Sequence, residues 1–186
     1  MRPRAAPDGP PTTARAPRRR LPALLLAALC SGCGASSGSF AAGVYRDGAI
    51  AYRVGALGSQ WRRIHVTGGQ LAFHHDQGGT ISAAATCEGP DHDAPLDVLT
   101  NHLLFGVEHR VERSRSAGTL DGRAALRTRA DGTLDGVPIA LDLVVLERDG
   151  CIYDLQLIAG PTAINARRPD FDRFLDGFGR VKKDAP

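Results

Sequence analysis

Three arginines, Arg18–Arg20, precede a nine-residue apolar run, Leu21–Leu29, which gives way to small residues ending at Cys33. A basic segment, a short apolar segment and a small-residue cleavage region form the layout of a secretory signal. The run falls far short of the roughly 20 apolar residues that a membrane-spanning helix needs. This stretch constrains the fold twice over. Residues 1–33 take no part in it, and the rest of the chain folds after export, where thiols oxidise. The remaining 153 residues amount to one domain, long enough to bury about 70% of the surface its unfolded chain exposes. Residues 34–43, rich in Gly, Ser and Ala, read as a flexible linker, and 44–182 as a single folded domain.

The end of the signal resembles the lipobox of bacterial lipoproteins, Leu-(Ala/Ser)-(Gly/Ala)-Cys. Ser31, Gly32 and Cys33 match its last three positions, and Cys30 stands where leucine is usual. The resemblance implies that Cys33 is lipidated, palmitate being the usual type of acyl chain, and becomes the first residue of the mature protein. Each buried methylene contributes about 0.8 kcal/mol, so two or three chains on Cys33 would hold the domain at a membrane where one short chain would not. The implied location is the cell envelope, lipid-anchored and facing the periplasm. Gly34 occupies the position where aspartate retains many such proteins at the inner membrane, which leans the expectation toward the outer one. The other reading is an ordinary secretory signal cut near Ala35 or Gly38, releasing a secreted soluble domain. Residues 2–17, rich in Pro and Arg, read as an extended n-region or the product of an upstream start.

The formal charge of +3 conceals an asymmetry, because residues 1–33 hold six arginines and one aspartate; the rest carries 17 basic and 19 acidic residues. A net charge of −2 with few aromatics gives no polyanion-binding surface, and nucleic acid is excluded as a partner. Of four cysteines, Cys30 leaves with the signal and Cys33 takes lipid. Cys87 and Cys151 are left as a pair, expected as a disulfide in an oxidising compartment. Ile81, Ala83, Ala85 and Cys87 share one face of a strand; so do Cys151, Tyr153, Leu155 and Leu157, with Asp154 and Gln156 turned away. The alternative is two free thiols buried as small hydrophobes.

Along the domain, Val44–Val54 reads as a hairpin closed at Asp47-Gly48, followed by strands over 61–66, 70–76 and 80–87 with Gly-rich turns between them. Pro95 suits the first position of a helix of about three turns, its apolar face formed by Leu96, Leu99, Leu103 and Leu104 and its end by Gly106. Val107–Arg113 reads as an edge strand. The motif Gly-Thr-Leu-Asp-Gly occurs at 118–122 and 132–136, as two Asp-Gly turns bounding strands over 123–129 and 137–147. Asp149-Gly150 closes a further hairpin onto 151–159. Phe171, Phe174, Leu175 and Phe178 form the stripe of a C-terminal helix ended by Gly179. The fold class is therefore α+β: an antiparallel sheet built from two meanders, with two helices packed on it in the order strands, helix, strands, helix. Over residues 50–181 this order resembles the PsbP-like α/β/α sandwich, a likeness of element order that carries no functional residue.

Chemistry is sparse. His74, His75 and Asp76 are adjacent, but neighbours on a strand point to opposite faces, so the two histidines do not reach one ion. His92 lies with Asp91 and Asp93 in a polar loop. No metal-ligand spacing, nucleophile elbow or phosphate loop is present. Ser114–Ser116 read as a turn among arginines, and the acids Asp170 and Asp172 as helix N-terminal charge. The expectation is a protein that is not an enzyme and needs no cofactor or metal. It is instead an accessory or interaction module of an envelope complex concerned with transport or assembly, partnered by the membrane through Cys33 and by an envelope protein. The alternative is a binder of a small apolar or lipid ligand, with Tyr45, Tyr52, Trp61 and Phe73 lining the groove.

Overall fold

A computed structural model describes residues 38–48, 50–66, 71–87 and 94–181. Two antiparallel sheets and two helices make an α+β fold. The small sheet contains β1 (Ser39–Ala41), β2 (Val44–Asp47), β3 (Ile50–Arg53) and β11 (Gly179–Arg180), in that order. The large sheet contains β4 (Trp61–Ile64), β5 (Leu71–His75), β6 (Thr80–Thr86), β7 (Glu108–Leu120), β8 (Arg123–Leu134), β9 (Val137–Arg148) and β10 (Cys151–Ala159). Its order is β4-β5-β6-β10-β9-β8-β7, so the two meanders join where β6 pairs with β10.

Strand alternation sorts the large sheet into two covered faces. Ile81, Ala83, Tyr153, Leu155, Leu157, Val144 and Leu146 bury one face against the small sheet and against α2 (Ile164–Asp176), through Phe171, Phe174 and Leu175. The other face, with Leu141, Leu143, Val145 and Ile152, is covered by α1 (Leu96–Leu103) through Leu99 and Leu103 and by Leu104 just beyond it. Tyr52 ties the small sheet to the large one by donating its hydroxyl to the Ala83 carbonyl at 2.9 Å.

Three Asp-Gly pairs close the hairpins as read. Asp121-Gly122, Asp135-Gly136 and Asp149-Gly150 all have positive φ at both residues, between 48° and 77°. That is the two-residue turn whose twist matches the flanking strands, and aspartate and glycine tolerate its left-handed backbone.

Several boundaries differ from the sequence expectation. The linker span 34–43 contains β1, because Phe40 packs edge-on against Phe73 with centroids 5.5 Å apart, and Ala42-Gly43 turns the chain into β2 with positive φ at both residues. Strands β7 and β8 run on to Leu120 and Leu134. The Ser114–Ser116 stretch read as a turn is strand, paired with Arg129, Thr128 and Arg127. Its polar composition reflects an exposed edge. Helix α1 has two turns, and Pro95 is its N-cap, one residue before the expected place. Helix α2 begins at Ile164 despite Pro169 inside it. Its C-cap is Gly177, because the chain there crosses the backbone of Gly55, whose N–H donates to the Phe174 carbonyl at 3.0 Å. A Cβ on Gly177 would collide with Gly55. Gly179, freed from ending the helix, pairs with Arg53. The expected Thr67-Gly68-Gly69 turn lies outside the described residues.

Cys87 and Cys151 form a disulfide that closes a loop of 64 residues in sequence separation. On the chain-entropy account, a loop of that length stabilises the fold by about 4 kcal/mol. Urea unfolding with and without reductant is expected to show a loss of that order, and a Cys87→Ser/Cys151→Ser double variant is expected to match the reduced protein.

Candidate functional site

Charge is buried at one place in the large sheet. Ala140, Asp142, Val144 and Leu146 alternate onto the α2 face of β9, and the neighbouring β8 presents Ala125, Arg127 and Arg129 to the same face. Asp142 has no solvent exposure. Taking a carboxylate out of water costs several kcal/mol unless other groups replace the lost hydration. Here guanidinium groups replace it. Arg127 is bidentate, Nε to Oδ1 at 2.7 Å and Nη2 to Oδ2 at 2.8 Å. Arg129 Nε donates to Oδ2 at 3.0 Å, and Arg168 Nε on α2 stands 3.4 Å from the same oxygen.

One helical turn beyond Arg168, Asp172 accepts a second bond from Arg127 Nη2 at 2.7 Å. The Arg127 guanidinium also lies over the Phe171 ring, 5.6 Å from its centroid. The hydrogen bonds of Asp142 hold the Arg127 pKa above its ordinary value, against the opposing effect of burial. Three arginines thus share one buried carboxylate.

Two cavities follow one another along the groove between α2 and the β7–β8 hairpin. One, of about 420 Å³, lies against Arg127, Asp172, Leu175, Asp176 and the end of β7. The other, of about 440 Å³, lies toward the start of α2 against Arg113, Ser114, Arg129, Asp131, Asn165 and Arg168. Volumes of this size suit small molecules or the side chains of a partner.

Sequence-selected residues fare unevenly. Cys33 lies outside the described residues, as do Asp91, His92 and Asp93. His74 and His75 part to opposite faces, as the strand period requires: His74 Nδ1 meets Thr80 Oγ1 at 3.3 Å, whereas His75 is buried. Asp76 pairs with Arg62 at 2.9 Å. Among the described residues no group of three or more His, Cys, Asp and Glu is placed to hold a metal ion. Asp170 and Asp172 do not sit at a helix N-terminus. They lie at the middle of α2 and beyond it, and Asp170 accepts from Trp61 Nε1 at 3.0 Å. Tyr45, Tyr52, Trp61 and Phe73, the expected groove lining, are all buried in the core. Asp154, turned to the α1 face, has its carboxyl pushed up to about 6 by burial. The Asp142 cluster escaped the sequence reading. Its signal was an acid inside an otherwise apolar strand, Ile139–Leu146, with arginines at period 2 on the strand before it.

No protein-family model matches the chain, and no curated protein matches it in sequence. Solved structures share its fold. CyanoP, the cyanobacterial PsbP of Synechocystis, is 15% identical, covering 82% of this chain and 97% of that one with a TM-score of 0.51. LpqN, involved in cell envelope biogenesis of Mycobacterium tuberculosis, is 16% identical, covering 72% of this chain and 86% of that one, also with a TM-score of 0.51. At these identities the likeness is one of fold, in keeping with the PsbP-like order of elements.

Substitutions in the ion cluster have two expected outcomes. Asp142→Asn leaves three partly exposed arginines without their shared counter-charge and should cost about 3 kcal/mol in urea unfolding, the low end for breaking a buried pair. Asp172→Asn, half exposed, should cost at most about 1 kcal/mol.

A further expectation concerns pH. Burial first, then the charge of Arg167, holds the His75 imidazole below its usual pKa. Its Nδ1 accepts from the Gln77 backbone N–H at 2.9 Å, which requires that nitrogen to be unprotonated. The unfolded chain takes up this proton near pH 6.5 while the folded one does not, so this contribution to stability is present above about pH 6.5 and is lost as pH falls. Asp154 titrates with the opposite sign, since its folded form holds a proton up to about pH 6. The difference between native protein and His75→Gln isolates the histidine: the destabilisation caused by the substitution should shrink from about pH 7.5 to about pH 5.5.

Proposed function

We propose that this chain is a membrane-anchored envelope lipoprotein whose folded domain serves as a non-catalytic accessory or interaction module. The observation that carries the reading is Cys33, placed directly after Ser31 and Gly32 behind a short apolar run and three arginines. The disulfide between Cys87 and Cys151 supports it, since such bonds persist outside the reducing cytosol. The fold shared with a protein involved in mycobacterial envelope biogenesis lends further support. The domain faces the periplasm, with the outer membrane favoured by Gly34. The groove beside α2 offers contact surface to an envelope component.

Metabolic labelling with radioactive palmitate tests the anchor. The native protein should take up label and begin at Cys33, and Cys33→Ser should accumulate unlabelled with its signal attached. A mature chain beginning beyond residue 33 without label would refute the lipoprotein reading and leave a secreted domain. Crosslinking in native membranes then identifies the partner.

A further inference from the structure

The cavity at the start of α2 has a wall chemistry that the packing of the domain does not use up. Arg129 and Arg168 both line it, and each reaches the buried Asp142 only through Nε. Arg168 Nη1 is met by the Asn165 side chain. Among the described residues, Arg168 Nη2 and both Nη atoms of Arg129 have no hydrogen-bond partner. Asp131, the acid on this wall, is taken by Arg113 at 2.6 Å. Asp142 serves three guanidinium groups and Asp172 answers only Arg127, so positive charge is left over at this spot although the domain as a whole is slightly acidic. Helix α2 adds to the field: it has no side-chain cap and no acid in its first turn, and its N-terminus carries a partial positive charge.

We infer that this cavity binds a phosphate group borne on a larger molecule, gripped between Arg129 and Arg168. One guanidinium fork satisfies a carboxylate, whereas the Nη pair of Arg129 together with Nη2 of Arg168, on two guanidinium groups lining one space, suits the additional oxygens and second charge of a phosphate monoester. The cavity, at about 440 Å³, exceeds what a bare ion fills and leaves room for the rest of the molecule. Ser114 on β7 and Asn165 on α2 face the same space and supply neutral polar contacts. The site uses only the folded domain, and it stands whether or not Cys33 carries lipid.

Calorimetric titration of the full-length protein at low salt tests this with inorganic phosphate, glycerol 3-phosphate, and phosphatidylcholine vesicles with or without phosphatidic acid. Binding of either soluble phosphate marks a site for free phosphorylated molecules. Binding confined to vesicles containing phosphatidic acid marks a headgroup site, and either pattern supports the inference. Ser114→Asp places a carboxylate at the wall without touching the buried Asp142 cluster, and Asn165→Asp sets one against the Arg168 guanidinium that Asn165 already meets. Each should weaken binding at least ten-fold, Ser114→Asp with an unchanged unfolding midpoint and Asn165→Asp with one no lower than that of the native protein, while Ser114→Lys should strengthen it. Arg129→Gln should weaken it as well. Absence of binding to every phosphate probe overturns the inference, and so does binding indifferent to the Asn165 and Ser114 substitutions.

Discussion

Asp142 is the constraint around which the centre of the domain is arranged. Strand β9 is covered on both faces, and a carboxylate in its middle is tolerable only if cations come to it from neighbouring elements. Arg127 and Arg129 come from β8, and Arg168 comes from α2 across the sheet face. Because Arg168 and Asp172 are one turn apart, the ion cluster fixes the rotation of α2 about its axis as well as its distance from the sheet. The same turn aims Phe171 and Phe174 into the core. Apolar packing supplies most of the driving force, but it is non-directional, and the ion cluster selects one seating for the helix.

The parts of the fold decided locally were legible in the sequence. Alternation over 80–87 and 151–157 placed both cysteines on one face, and the Asp-Gly pairs at 121–122, 135–136 and 149–150 announced their turns through a backbone conformation few other residues accept. The parts decided by distant neighbours were not. Strand β7 is polar because it is an exposed edge, so nothing in its own residues says how far it pairs. The end of α2 is set by a backbone crossing with Gly55, more than a hundred residues earlier in the chain. The Asp142 cluster joins residues 13, 15 and 26 positions apart, with Asp172 added 45 positions from Arg127. No local pattern reports such a meeting, although a lone acid within an apolar strand does announce that partners are needed.

Aromatic residues show the same division. Their number and apolar character were plain, and they suited a core better than the ligand groove that was the alternative. Tyr52, Tyr153 and Phe178 stack against one another at centroid distances of 5.3 to 6.1 Å and seal the small sheet to the large one. A tyrosine in such a place has to find an acceptor for its hydroxyl, which Tyr52 does at the Ala83 carbonyl. Burial raises the phenol pKa accordingly. These rings fasten one sheet to the other, and the polar groove beside α2 is an accessible recess that they do not fill.

The pairing of β6 with β10 sets an order of events for a chain made from its N-terminus. The first meander ends at a strand whose neighbour begins at Cys151, 64 residues beyond Cys87, and in a chain exported N-terminus first it arrives late. Until then the thiol of Cys87 waits beside an unfilled sheet edge with its mate still to come. Assembly of the central sheet thus waits on arrival of the C-terminal third, and the covalent bond between Cys87 and Cys151 spans the same seam.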